Sequence, residues 1–133
     1  MKYLLDSNTC IRYLNHRSQS VIDKMASISP ADIVVCSIVK AEMYFGAKRS
    51  HNPVKTKAEQ DAFLVLFQSL PFDDSAAEIY SDIRADLAAR GTPIGPNDLM
   101  IAAIALANNL ILITHNTREF SRITALQLED WEA

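Results

Sequence analysis

From Asp98 to Ala107 the chain reads Asp-Leu-Met-Ile-Ala-Ala-Ile-Ala-Leu-Ala, nine apolar residues behind one acid. Leucine, methionine and alanine at this density favour helix, and a helix that is apolar nearly all round has no face to give to water, so it must be buried on most sides. Whatever the chain folds into has to wrap around this segment. The wrapping elements are visible as short apolar runs. Lys2–Leu5, the β-branched run Ile33–Cys36, Leu110–Thr114 and Leu126–Leu128 each read as a strand. Continuous apolar strands alternating with helices indicate a parallel sheet covered on both faces, an α/β fold.

The helices are marked by periodicity and by their ends. Ser7 or Asn8 is placed to cap a helix carrying Ile11, Tyr13 and Leu14, and Ser37 one whose inner face includes Ile38, Ala41 and Phe45. Lys55–Ser69 reads as an amphipathic helix. A helix begins at Asp73 to Ser75, where Ser75 and Glu78 have capping-box spacing, with Ala76, Ile79, Tyr80, Ile83 and Leu87 on one stripe, and Gly91 ends it. Asn97 is expected to cap the apolar helix. Met43, Tyr44 and Phe45, like Phe63, Leu64, Leu66 and Phe67, are expected in the core or under a partner.

With 133 residues, no repeat and no linker, one domain over 1–133 is expected. No apolar run nears the roughly 20 residues of a membrane span, and the acid at position 6 comes too early for a signal peptide, so a cytoplasmic protein is expected. Cys10 and Cys36 sit in apolar surroundings and read as buried thiols. A net charge of −3, from 13 basic and 16 acidic residues, argues against a broad basic face for nucleic acid. The one basic stretch is local: Lys48, Arg49, Lys55 and Lys57 fall in a segment free of acids between Met43 and Ala58, a solvated surface or a phosphate-contacting patch.

Sites in open parallel sheets form beyond the carboxyl ends of the strands. Asp6 directly follows the first strand, Glu42 lies in the helix after the second, Asp98 opens the apolar helix, and Glu119 follows Leu110–Thr114. Each has an ordinary explanation, Asp6 as a helix cap and Asp98 as a partner of the helix dipole. Together they are harder to dismiss. No Lys or Arg is locally spaced to pair with Asp6 or Asp98, and like charges gathered at one edge repel unless protonated or bridged by a cation. Mg²⁺ or Mn²⁺ suits an all-oxygen donor set.

The segments Leu-Leu-Asp6-Ser7-Asn8, Ser37-Ile-Val-Lys-Ala-Glu42-Met-Tyr-Phe-Gly46, Ile94-Gly-Pro-Asn-Asp98-Leu-Met-Ile-Ala-Ala103 and Thr114-His-Asn-Thr-Arg-Glu119-Phe120 resemble PIN-domain ribonucleases, and within them the VapC toxins of bacterial toxin–antitoxin pairs. The resemblance implies a three-layer PIN-like fold with a central parallel sheet of about five strands. It also implies three near-invariant acids, here Asp6, Glu42 and Asp98, and a more variable fourth, here Glu119. Ser7 stands where the family usually has threonine, and His115 where it more often has asparagine.

The activity implied is Mg²⁺- or Mn²⁺-dependent cleavage of RNA, with initiator tRNA at its anticodon stem-loop the first substrate to expect, and inhibition of translation. Asp6 and Asp98 would hold the metal, Glu42 would hold it or act as base, and Glu119 would hold a second ion. Ser7, Asn8 and Asn116 would keep carboxylates and waters in place. A VapB-type antitoxin, a homodimer and a toxin–antitoxin hetero-oligomer are the assemblies implied. Two other readings compete. An aspartyl phosphatase would want an acid at position 8, where Asn8 stands, and a PIN-fold interaction module without activity would not need the intact acid set.

Overall fold

Strands form on three of the apolar runs, Lys2–Leu5, Ile33–Cys36 and Leu110–Thr114, while the Leu126–Leu128 run gives only Leu128 to a strand. In the computed structural model, which describes residues 1–133, the chain folds around five parallel strands. These are β1 (Tyr3–Leu5), β2 (Ile33–Cys36), β3 (Gln68–Leu70), β4 (Ile111–Ile113) and β5 (Leu128–Glu129), in the order β3-β2-β1-β4-β5. Leu4 lies between Val34 and Leu112 in register. Seven helices flank the sheet: α1 (Ser7–Leu14), α2 (Gln19–Ser27), α3 (Ser37–Lys48), α4 (Pro53–Leu64), α5 (Asp74–Ala89), α6 (Pro96–Ala107) and α7 (Thr117–Phe120). No helix is long and apolar enough to cross a membrane.

The apolar helix is the centre of the packing. In α6, Leu99 and Ile101 through Ala105 are all buried, with α5 packed along it. They join a core of 30 residues that includes Leu4, Leu5, Val34, Val35, Leu112 and Ile113. Ala102 and Ala103 have no exposed surface, so a leucine at either would overpack the core at a cost of about 1–3 kcal/mol. Cys10 and Cys36 are buried free thiols, and burial pushes both above the usual thiol range.

Several ends differ from the sequence expectation. Asp6 rather than Ser7 or Asn8 caps α1, its Oδ1 accepting from Thr9 N at 2.8 Å. Asp73, not Ser75, caps α5. Helix α6 starts at Pro96 with Gly95 at the cap position, two residues ahead of the expected Asn97 cap, because proline suits the first helical position. Helix α3 has no side-chain cap at Ser37, and its inner face is Val39, Met43 and Ala47, while Ala41 and Phe45 face outward. The expected helix over 55–69 divides into α4 and β3. Gly91 does end α5, at φ +70°, with Thr92 N donating to Leu87 O at 3.0 Å.

Candidate active site

The strand order places one crevice above the others. Successive connections run from β1 through β2 to β3 on one side and then return to β4 and β5 on the other, so neighbouring β1 and β4 mark the point where the order reverses. Ligand sites in such sheets lie beyond the carboxyl ends of the two strands at that point. Asp6 follows β1 directly. Helix α6 enters β4 from the opposite direction, which sets its first turn, with Asp98, at the same edge.

Asp6 is 7% exposed and its backbone N–H donates to Ile113 O at 3.1 Å, locking the acid to the end of β4. Thr9 completes this lock: its N–H donates to Asp6 and its hydroxyl donates to Ile113 O at 3.4 Å. Glu42 is half-buried on the second turn of α3, and its Oε1 accepts from Ser7 Oγ at 3.1 Å. Glu119 on α7 is half-buried and its Oε2 accepts from Asn116 Nδ2 at 3.2 Å. Asn116 is in turn held by its own N–H, which donates to the buried Thr114 hydroxyl at 3.0 Å. Asn8 is exposed and makes no side-chain hydrogen bond.

Asp98 decides between the two explanations of its position. A carboxylate on the first turn of a helix is stabilised in its charged form by the dipole, which lowers its pKa. Here the pKa is raised from 3.8 to about 6, by burial first and then by the charges of Glu42, Glu119 and Asp6. Burial and three neighbouring acids therefore outweigh the helix end. None of the four acids takes part in an ion pair, although Glu59, Asp61, Asp86 and Glu132 all do. Four carboxylates with no cation between them form an all-oxygen set that a hard divalent ion suits.

The four acids are not drawn into a closed cluster. No three bring carboxylate oxygens within 4.8 Å of one another, a spacing met only by His115, Asp130 and Glu132. Repulsion explains the openness, with Asp6 and Glu42 each anchored to its own donor. At the neighbouring group, His115 Nδ1 lies 2.9 Å from Asp130 Oδ2, and this hydrogen bond, then Glu132, raises the imidazole pKa. Arg12 reaches Glu132 at 3.5 Å. The link ties the C-terminal residues to the loop that carries Asn116.

The basic stretch divides in two. Lys57 pairs with Asp61 at 2.7 Å and Lys55 with Glu59 at 4.0 Å, each one turn along α4. Lys48 and Arg49, at the end of α3, have no acidic partner. Sequence reasoning passed over Thr9, Thr114 and Asp130. The first two carried a signal, a hydroxyl three residues after Asp6 and another ending an apolar run, whereas the Asp130 to His115 contact spans 15 residues and left none.

The family model described as PIN domain matches residues 3–126. The chain is 35% identical over 131 residues to the tRNA(fMet)-specific endonuclease VapC of Salmonella typhimurium, covering 98% of each. Among solved structures, it is similar to DNA-bound VapBC from Salmonella typhimurium, with a TM-score of 0.92, 35% identity and 98% of each chain covered. It is also similar to VapBC2 from Rickettsia felis bound to a DNA fragment from their promoter, with a TM-score of 0.91, 33% identity and 98% and 99% of the two chains covered.

Proposed function

The chain belongs to the PIN-domain family, and from that premise we propose that it is a VapC-type toxin, a divalent-metal-dependent endoribonuclease that inhibits translation and is held in check by a VapB-type antitoxin. The observation that carries this reading is the placement of Asp98, partly buried at the start of α6, with Glu42, Glu119 and Asp6 as its charged neighbours and no ion pair to balance any of them. Mg²⁺ or Mn²⁺ bound there would offset the charge of carboxylates and phosphate and make a water acidic enough to attack phosphorus.

The chain's own residues divide the remaining work. Asp6 and Asp98 would hold the ion, Asp6 fixed by Thr9 and Asp98 by the start of α6. Glu42 receives Ser7 on Oε1, which leaves Oε2 free to take the proton of the attacking water. Glu119, steered by Asn116, would hold a second ion directly or through water. Asn8, exposed beside Ser7, is left to orient water or substrate. Lys48 and Arg49 supply the free positive charge for the RNA backbone, with Lys55 and Lys57 contributing after partial neutralisation.

The substrate is RNA, with initiator tRNA at its anticodon stem-loop the first to test, because the Salmonella typhimurium relative is named for tRNA(fMet). The reading extends to a cytoplasmic single domain acting as a homodimer, and to a hetero-oligomer with antitoxin, the last supported by the likeness to VapBC structures. The test is incubation of purified protein with total RNA and Mg²⁺, with the new ends mapped. A small set of cuts, lost in EDTA and including tRNA, is expected. RNA left intact in both Mg²⁺ and Mn²⁺ would overturn the reading.

A further inference from the structure

Glu42, Phe45, Gly46 and Arg49 follow one another at three, four and seven positions along α3 and its cap, the spacing that puts residues on one helix face. Phe45 is 62% exposed, and the Arg49 guanidinium lies 5.3 Å from its ring centroid. A large aromatic ring is thus kept in water one turn from an acid of the candidate site, with a cation over it. Beside it, Gly46 has nothing within 4 Å of where a Cβ would sit and lines a cleft of ≈ 280 Å³ with Ile11 and Gln60. Neither Arg49 nor the adjacent Lys48 is held by an acid.

We propose that Phe45, backed by Arg49, is a platform on which an unpaired base of the RNA stacks, beside the phosphodiester presented to Glu42. The proposal rests on the ribonuclease reading and names one subsite of it. Glu42 and Phe45 are three residues apart on α3, so the two side chains are neighbours on one helix face. A carboxylate, a ring and a cation in that order meet the scissile group, the next base and the following phosphate in turn. An aromatic face accepts any base, so the platform sets position and selects for single-stranded RNA, since a paired base is already stacked in its helix.

A protein partner fits this patch less well than RNA does. The chain has an apolar groove lined by Tyr13, Met25, Phe63 and Leu66, with no cation in its wall. Phe45 stands alone among cations, where nucleic acid is favoured.

The test is steady-state cleavage, with Mg²⁺, of a short synthetic RNA spanning the mapped cut and of a series in which one abasic nucleotide is stepped along it. Wild type is expected to lose about 10-fold in kcat/KM at one abasic position next to the cut. Phe45→Ala should lose about 10-fold on the intact RNA and be indifferent to that abasic position, while Phe45→Trp restores both the rate and the sensitivity. The helical circular dichroism signal and the melting temperature of each variant verify the fold. An abasic penalty in Phe45→Ala equal to that of wild type overturns the platform, as does a different assembly mass for Phe45→Ala than for wild type by light scattering, which assigns Phe45 to an interface between copies. In both cases wild type still cuts, so the ribonuclease reading stands; a wild type that cuts no RNA overturns both.

Discussion

Ser7 and Glu42, 35 residues apart, are joined by a hydrogen bond of 3.1 Å from the serine hydroxyl to Glu42 Oε1. It connects the first turn of α1 to the second turn of α3 and occupies Oε1, leaving Oε2 without a side-chain donor. Groups that orient metal ligands or bases cost 10–100-fold when removed. Ser7→Ala should therefore lower kcat for RNA cleavage by about 10-fold or more with little change in melting temperature, and Ser7→Thr, which keeps the hydroxyl, should retain most of the rate. Equal rates for Ser7→Ala and wild type would mean that Glu42 needs no positioning.

Asp98 makes the metal-free protein sensitive to pH. Its folded pKa, about 6, lies above the ordinary 3.8, so the folded state holds a proton that the unfolded chain has already lost between those values. Stability is therefore greatest below pH 3.8 for this group and is lost as pH rises through 6. For a half-buried carboxyl the loss, screened by solvent, is about 1–2 kcal/mol. Asp98→Asn should raise the melting temperature at pH 7 by on the order of 5 °C, and not at pH 4. Mg²⁺ at roughly ten times its Kd should add about 4 °C to wild type and much less to the variant. Thermal melts at the two pH values, with and without Mg²⁺, check both parts.

The basic residues should separate by their partners. Neutralising Lys48 and Arg49 together should weaken RNA binding and flatten the plot of log affinity against log salt by about 1.4, since each phosphate that a cation neutralises on a single strand contributes about 0.7 to the slope. Neutralising Lys55 and Lys57, which already face Glu59 and Asp61, should change the slope by less. A salt titration of RNA affinity for the two double variants measures the difference.

His115 should titrate above its ordinary pKa because it donates to Asp130. The stability this bond gives is full below pH 6.5 and disappears as pH rises through the raised value. In Asp130→Asn the imidazole resonance should titrate nearer 6.5, and an unchanged titration would show that the two side chains do not pair.

Much of this molecule could be read from its sequence. The strands buried on both faces, β1, β2 and β4, are unbroken apolar runs, and α6 announces itself by having no polar side. Strand β3 could not be seen: Gln68 and Ser69 are not apolar, it pairs only with β2, and Leu70 alone is buried, so it looked like the tail of α4. Caps moved because Asp6 and Asp73 compete with nearby hydroxyls and win. That Asp98 lies near Asp6, Glu42 and Glu119 follows from their places after strands and at a helix start, but the orientation of Phe45 was not legible, since its helix buries the stripe of Val39, Met43 and Ala47 instead. The pairing of His115 with Asp130 depends on β5 lying beside β4, which no local pattern encodes.

The assignment of RNA cleavage to Asp6, Glu42 and Asp98 rests on the charges of Asp6 and Glu42 beside a partly buried Asp98. It is tested most directly by the single-turnover rate of Asp6→Asn, Glu42→Gln and Asp98→Asn on the mapped RNA with Mg²⁺. Each change removes a charge and keeps the volume, so each variant should stay folded, with a melting temperature in EDTA near that of wild type or above it. Each should lose several powers of ten in rate. Cleavage by folded Asp98→Asn within a few-fold of wild type would contradict the account.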